Sequence, residues 1–123
     1  MHLDRQAITA QYVKYAYDFN TRNEAAFGQI LTRSCQLDVR GKQEPFLPYV
    51  RQEWQHSEIL KLKIYKIVVT ANTATALIVE TNWLKGGPPS YSPISRQDLL
   101  VRTATGWRIS HIHTTGVIVT VVL

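Results

Sequence analysis

The second half of the chain consists of four stretches in which apolar and polar residues alternate, and no other feature constrains the fold as strongly. Alternation is typical of β-strands, because successive side chains of a strand point to opposite faces. Turns at Ala71-Asn72 and Thr105-Gly106 and the Gly- and Pro-rich segment 86–93 separate the stretches. The pattern predicts an antiparallel meander built from "SEILKLKIYKIVVT", "TATALIVETNWLK", "ISRQDLLVRTA" and "WRISHIHTTGVIVTVVL".

A first helix is predicted from apolar residues three and four positions apart, which form one stripe on a helical surface. The stripe comprises Ile8, Tyr12, Tyr15 and Phe19. Asp4 is the predicted N-cap, and the helix is expected to end near Asn20.

Three further elements are predicted between this helix and the meander. "RNEAAFGQIL" indicates a second, short helix with Asn23 as its cap, and "SCQLDVRG" alternates like a strand that ends at Gly41. "QEPFLPYVRQEW" predicts a short, interrupted helix ending near Trp54, because proline can open a helix but destabilises its interior. Helices followed by a run of strands indicate an α+β fold, here in a single domain covering residues 1–123.

The basic residues do not indicate a nucleic-acid partner. The formal net charge is +5, but the 14 Lys and Arg residues are scattered along the chain. Nucleic-acid-binding proteins usually cluster such residues on one element, together with stacking aromatic rings. Lys61, Lys63 and Lys66 form the one basic stripe, which we interpret as a solvated face or a guarded sheet edge.

Neither membrane insertion nor secretion is expected. No apolar run approaches the roughly 20 residues of a membrane helix, and the opening "MHLDRQAITAQ" has no apolar segment typical of a secretory signal. Cys35 is the single cysteine, so an intramolecular disulfide is excluded, and we interpret it as a small buried hydrophobic residue. A cytoplasmic protein is therefore predicted.

The end of the meander, "RQDLLVR" followed by "GWRISHIHTT", is the most specific segment of the sequence. Together with "YAYDFNTRNEAAFGQIL" it resembles the SnoaL-like proteins of the nuclear transport factor 2-like superfamily, with Thr114 or Thr115 where serine is commoner. The resemblance spans Asp4 to about Val117. It implies a cone-shaped fold, in which a strongly curved mixed or antiparallel sheet wraps around the N-terminal helices and encloses a cavity.

Within this superfamily, ketosteroid isomerase gives the sharpest comparison for a catalytic site. Its oxyanion hole joins a first-helix tyrosine to a protonated aspartate, and a second aspartate is the base. The resemblance places the tyrosine at Tyr15 and the oxyanion aspartate at Asp98. The base falls on Val39 without gaps and on Asp38 only after a one-residue shift, which in a strand moves a side chain to the other face.

Tyr15 and Asp98 also have structural interpretations. Tyr15 lies on the apolar stripe of its helix, where a core tyrosine with a satisfied hydroxyl is common. Asp98 has Arg96 and Arg102 nearby on its own strand as ion-pair partners.

Strand alternation places His111 and His113 on one face with Trp107 and Ile109. A zinc site would need at least a third protein ligand, and no spacing identifies one, so no metal is predicted. A second role is general acid–base catalysis, for which the imidazole pKa is suited. The leading interpretation is that these histidines form hydrogen bonds in the cavity or at a dimer interface.

The candidate catalytic residues are expected to meet inside the cone. Asp98 and His113 lie at similar distances from the turn between their strands and can therefore face the same side. Tyr15 reaches them from the first helix, and Asp38 is a weaker candidate base.

We therefore expect a small-molecule binding protein of the SnoaL-like type that needs no cofactor. The chemistry implied by the resemblance is acid–base catalysis of isomerisation, dehydration, cyclisation or epoxide opening on an apolar or cyclic substrate. Trp54, His111 and Arg96 are expected to contact the ligand. The alternative is a non-catalytic ligand-binding or dimeric association module.

A homodimer through the outer face of the sheet is also predicted. Members of the resembled family often associate in this way. The final stretch "VIVTVVL" is apolar on both faces apart from Thr120, and such a surface is costly to leave in water.

Overall fold

The structure, a computed structural model, describes residues 2–39, 41–85 and 93–118. Within these ranges the chain forms three helices and six strands, which confirms the predicted α+β class. In chain order they are α1 (His2–Asn20), α2 (Glu24–Gly28), β1 (Leu31–Val39), β2 (Lys42–Pro45), α3 (Phe46–Glu53), β3 (Ser57–Thr70), β4 (Thr73–Leu84), β5 (Ile94–Thr103) and β6 (Gly106–Ile118).

The strands form one mixed sheet in the order β2-β1-β6-β5-β4-β3. β1 and β6 run parallel, whereas every other neighbouring pair is antiparallel, so the predicted meander from β3 to β6 is confirmed. α1 packs on β3 and β6, while α2 and α3 pack beside β1. The core therefore lies between the three helices and one face of the sheet, as in an unclosed cone.

The apolar stripe of α1 is buried against the sheet as predicted. The helix begins at His2, however, so Asp4 lies in its first turn and is not the N-cap. The Asp4 carboxylate instead accepts hydrogen bonds from Arg102, at 2.9 Å, and from the Trp107 indole nitrogen, at 3.4 Å. These contacts attach the N-terminal end of α1 to β5 and β6.

The C-terminal end of α1 is attached to the edge strand β3 through a side-chain amide. Asn20 Nδ2 donates to the backbone oxygen of Leu60 at 3.0 Å, and the Leu60 N–H donates to Asn20 Oδ1 at 2.8 Å. Because both ends of α1 are held by the sheet, its stripe is directed into the cone along its whole length.

The segment between α1 and the meander contains one element that the sequence did not reveal. Asn23 caps α2 as predicted, its side chain accepting from the Ala26 N–H at 3.2 Å. After β1 the chain turns at Gly41, whose φ of +79° suits glycine, and returns as the short strand β2, whose four residues are all exposed. α3 then begins directly after Pro45.

A β-bulge in β6 changes which of its side chains face the core. Leu100 pairs with Ile109, but Leu99 pairs with His111, so Ser110 is the extra residue. Ile109 and Ile112 are consequently buried, whereas His111 and His113 lie on the outer face. The prediction that both histidines share a face with Trp107 and Ile109 is therefore wrong, although Trp107 is a core residue as expected.

Two predicted features fall outside the described residues. These are the loop "GGPPSYSP", apart from its last proline, and the side chains of "VIVTVVL". None of the helices in the described ranges is long and apolar enough to span a membrane.

Candidate functional site

The face of the sheet that meets the helices carries a group of ionisable side chains inside the cone. β5 contributes Arg96 and Asp98, which are two residues apart and so point to the same side. β4 contributes Glu80, and the stripe of α1 contributes Tyr12 and Tyr15, whose hydroxyls reach the β5 side chains. We call these five residues the cone cluster.

Arg96 and Asp98 form a bidentate ion pair at the centre of the cone cluster. Arg96 Nε donates to Asp98 Oδ1 at 3.0 Å, and Nη2 donates to Oδ2 at 2.7 Å. The Tyr12 hydroxyl also donates to Oδ2, at 2.6 Å. The side chains of Arg96 and Asp98 are 2% and 0% exposed, respectively. Their hydrogen bonds to each other offset the free-energy cost of removing both charges from water.

The remaining guanidinium nitrogen of Arg96 joins the pair to the rest of the cone cluster. Nη1 donates to Glu80 Oε1 at 2.8 Å and to the Tyr15 hydroxyl oxygen at 3.0 Å. The guanidinium carbon also lies 4.9 Å from the centroid of the Tyr15 ring, a cation–π distance. One buried cation therefore faces two carboxylates, and Glu80, 21% exposed, is the one nearer to water.

Burial shifts the pKa values of several groups at this site. It raises the pKa of Glu80, and the attraction of Arg96 offsets this only in part. Burial also raises the pKa of Tyr15, so its phenol stays protonated. For Arg96, burial alone would lower the pKa, but Asp98, Tyr15 and Glu80 together raise it well above the ordinary value, so the guanidinium stays charged.

A small cavity of about 20 Å³ adjoins Tyr15 and Glu80, which gives room for about one water molecule. The Tyr15 oxygen accepts from Arg96, and no described residue accepts the Tyr15 hydroxyl proton. Among the described residues, Tyr15 is thus a hydrogen-bond donor without an acceptor, and it lies beside a carboxyl group whose pKa is raised.

α3 covers this cavity and adds further polar groups to it. The lining includes Tyr49 and Glu53 of α3 and Asn82 of β4. Asn82 Nδ2 donates to Glu53 Oε2 at 3.2 Å, while the buried Ser57 hydroxyl donates to Asn82 Oδ1 at 2.6 Å. Burial, reinforced by the nearby Glu53, also raises the pKa of Tyr49. The cavity is therefore lined by hydrogen-bond donors and acceptors of Tyr49, Glu53 and Asn82, in addition to apolar side chains.

The structure places Tyr15 and Asp98 together in the cone cluster, as predicted, but joins them through Arg96 and not directly. The tyrosine bonded to Asp98 is Tyr12, one helical turn earlier on the same stripe. Asp98 accepts hydrogen bonds from Arg96 and Tyr12, so in this structure its oxygens act as hydrogen-bond acceptors. Arg96, predicted as a ligand contact, is instead the centre of the cone cluster.

The prediction that His113 meets Tyr15 and Asp98 is wrong. The register pairs His113 with Gln97, on the outer face of β5, and with Asp38 of the parallel strand β1. His113 Nδ1 lies 3.1 Å from Asp38 Oδ2, on the side of the sheet opposite the cone. Asp38 is therefore not the base inside the cone.

The other two predicted ligand contacts, His111 and Trp54, lie on opposite sides of the sheet. His111 lies on the outer face opposite Leu99. Trp54 is the C-cap of α3 and packs against Phe19 and Phe27, with ring centroids 5.8 and 6.1 Å away. Its buried indole nitrogen has no hydrogen-bond partner among the described residues. No group of three His, Cys, Asp or Glu side chains in the described ranges could hold a metal ion.

Sequence reasoning missed Tyr12 and Glu80 as members of the site. Its spacing identifies Tyr12 only as part of the apolar stripe of α1. Glu80, however, occupies the alternating position that follows Ala74, Ala76 and Ile78 along β4, all of which are buried. An acidic residue in the inward phase of a strand was therefore the available signal.

Comparison with known proteins supports the fold and not a specific activity. No family model matches the sequence, and no curated protein matches it. A candidate dehydratase of the NTF2-like family from Streptomyces avermitilis superposes with a TM-score of 0.80, 14% identity, and coverage of 96% of this chain and 99% of that one.

Two further solved structures agree with this likeness. A candidate ketosteroid isomerase from Shewanella frigidimarina has a TM-score of 0.71 and 19% identity over 89% of this chain and 94% of its own. A candidate calcium/calmodulin-dependent protein kinase type II association domain from Thiobacillus denitrificans has a TM-score of 0.69 and 14% identity, covering 86% and 91%. The chain has the nuclear transport factor 2-like fold, as the sequence resemblance predicted.

The pKa of Glu80 predicts a pH dependence of stability. Because the native carboxyl keeps its proton above the unfolded-state pKa, the native state binds more protons than the unfolded state in that range. The Glu80 contribution to the free energy of unfolding is therefore fully present below the unfolded pKa and is lost as pH rises through the native pKa. Urea unfolding of the wild type and Glu80→Gln between pH 4 and 8 measures this difference.

The wild type is expected to lose stability relative to Glu80→Gln as pH rises. Glu58→Gln, at an exposed position of β3, is the matched control and should follow the wild-type curve. Parallel curves for the wild type and Glu80→Gln would contradict the prediction.

Proposed function

We propose that this protein, as a SnoaL-like member of its fold superfamily, binds a small apolar or cyclic carbonyl compound in the cone and catalyses proton transfer on it. The observation that carries the proposal is the Tyr15–Arg96–Glu80 arrangement beside a cavity, in which Arg96 holds both a phenol and a carboxyl group. A core selected only for stability gains little from a buried ionic group, and such groups with perturbed pKa values concentrate at functional sites.

The two groups have complementary roles in the proposed reaction. The ionised Glu80 carboxylate removes a proton from the carbon next to the substrate carbonyl, and the electron pair of that C–H bond moves to form an enolate. The Tyr15 hydroxyl donates a hydrogen bond to the enolate oxygen, where negative charge develops. Protonated Glu80 then gives a proton back to the enolate: exchange results when its proton has first been replaced from water, and isomerisation results when the proton goes to a different carbon, in both cases without a cofactor.

Arg96 is a positioning residue in this proposal. Its guanidinium holds the Tyr15 oxygen and Glu80 Oε1 through the same nitrogen, so donor and base keep a fixed separation. Asp98 and Tyr12 in turn fix the orientation of Arg96. Such support from neighbouring side chains is what a precise catalytic geometry needs.

Substrate entry requires α3 to move away from the sheet. The cavity of about 20 Å³ is far below the roughly 300 Å³ of a typical small-molecule site. Among the described residues, the Glu53–Asn82 hydrogen bond of 3.2 Å is the polar side-chain contact between α3 and β4 beside the cavity. Breaking this bond and withdrawing Tyr49 would enlarge the site while leaving the cone cluster in place.

Hydrogen–deuterium exchange of cyclohexanone in D₂O, followed by proton NMR, tests the proposed reaction. The wild type is expected to accelerate exchange at the carbons next to the carbonyl. Glu80→Gln should lower the protein-dependent rate by about 10²-fold or more, and Tyr15→Phe by a comparable factor. Glu58→Gln and Tyr17→Phe, at exposed positions of β3 and α1, are the matched controls and should retain the wild-type rate.

Equal exchange rates in wild type, Glu80→Gln and Tyr15→Phe, with all variants folded by circular dichroism, would contradict the proposal. The same would follow if the wild type gave no exchange above buffer while binding the ketone.

A second candidate function is association as a homodimer through the outer face of the sheet. Leu77 of β4 and Leu99 of β5 are 40% and 43% exposed on this face, at diagonal positions of the ladder. One structural neighbour is named as an association domain, which favours the same role. Clustered exposed leucines on a sheet face are a frequent feature of interfaces.

Sedimentation at micromolar concentration tests the association. The wild type is expected to sediment as a dimer, and Leu99→Lys as a monomer, because a charge in the centre of the face would lose its hydration on association. Val13→Lys, at an exposed position of α1, should remain dimeric. A monomeric, soluble wild type would contradict this candidate function.

We also propose a cytoplasmic location. The proposal rests on the single cysteine, Cys35, which is a free thiol, as is usual for proteins of a reducing compartment.

A further inference from the structure

A second cavity, with a volume of about 330 Å³, lies beside the start of β1 and the junction of β2 with α3. β1 pairs with β6 at Leu31↔Ile109 and again at Gln36↔His111, and the chain between these pairs is longer in β1 than in β6. The additional β1 residues therefore leave the ladder, and several of them line the cavity. Its volume falls at the lower end of the roughly 300–1,000 Å³ found for small-molecule sites.

Most of the cavity wall is apolar. The apolar side chains are Leu31, Pro45, Phe46, Leu47 and Pro48. Cys35 also lines the cavity, and because its thiol is buried and protonated it adds no charge there. An occupant of this cavity must therefore have a compact apolar body.

Two arginines from different strands border the same cavity. Arg33 comes from β1 and Arg108 from β6, and no acidic side chain is among the lining residues. Arg108 donates to the Thr105 hydroxyl at 2.9 Å, and neither guanidinium has a carboxylate partner among the described residues. Arg33 is exposed and Arg108 is half-buried, and a bound anion could accept charged hydrogen bonds from both.

We propose that this cavity binds a small carboxylate with an apolar body, of the size of a medium-chain fatty acid. The hydrocarbon part lies against Leu31, Phe46 and Leu47, and the carboxylate lies between Arg33 and Arg108. A guanidinium matches a carboxylate because its paired N–H groups can donate to both oxygens. The site uses no residue of the cone cluster, so it does not depend on the proposed proton-transfer function.

Gly28 provides a way to fill the cavity without removing any of its contacts. This residue ends α2 and lines the cavity, and a Cβ added to it would meet no atom within 4 Å. Gly28→Leu should therefore occupy part of the volume and preserve the fold, while Gly28→Ala leaves most of the volume open.

Isothermal titration calorimetry with octanoate tests the proposal, with 1-octanol and inorganic phosphate as the uncharged and the headgroup-only comparison ligands. Octanoate should bind the wild type at least tenfold more tightly than either comparison ligand. Arg33→Gln and Arg108→Gln should each weaken octanoate binding about tenfold or more, since each removes charged hydrogen bonds. Gly28→Leu should weaken octanoate binding by a similar factor. The control variants Gly28→Ala and Arg5→Gln should bind octanoate as tightly as the wild type; Arg5 is at an exposed position of α1.

Equal affinity for octanoate and octanol would mean a merely apolar cavity, and equal affinity for octanoate and phosphate would mean a simple anion site. Either result would overturn the proposal. So would octanoate binding that survives both arginine substitutions and Gly28→Leu in folded variants, because the ligand would then be bound elsewhere.

Discussion

The buried ion pair of Arg96 and Asp98 is the interaction on which the rest of the cone depends. A guanidinium that is 2% exposed is tolerated only if its hydrogens meet acceptors, and three elements of the cone supply them. β5 provides Asp98, β4 provides Glu80 and α1 provides Tyr15. α1 therefore lies where its tyrosine hydroxyls contact Arg96 and Asp98, and both ends of the helix are attached to the sheet.

The two carboxyl groups of the cone cluster do not receive the same number of hydrogen bonds, and this difference determines which of them can take part in proton transfer. Asp98 receives two nitrogens of Arg96 and the Tyr12 hydroxyl, whereas Glu80 receives one nitrogen. Glu80 is therefore the carboxyl group whose pKa rises on burial and which can exchange a proton with a ligand. The outer face of the sheet is chemically different, since it carries exposed leucines and the His113–Asp38 pair.

The fold was predictable from the sequence because it depends on periodicity, and the site was less so because it depends on register. The stripe of α1 and the four strands of the meander could be identified from apolar spacing alone. The single extra residue at Ser110 could not, yet it moves His111 and His113 to the outer face. Likewise, helical spacing places both Tyr12 and Tyr15 on the side of α1 that faces the cone, but it does not distinguish which hydroxyl meets Asp98.

The most direct test of this account is NMR of the Arg96 side chain in ¹⁵N-labelled protein, with Asp98→Asn as the reference variant. We expect an Nε–H that exchanges slowly with water and separate Nη1 and Nη2 resonances, because the two Nη nitrogens bind different acceptors and the guanidinium cannot rotate. In Asp98→Asn both features should weaken. A rapidly exchanging Nε–H with averaged Nη resonances in the wild type, like those of the exposed Arg5, would contradict it.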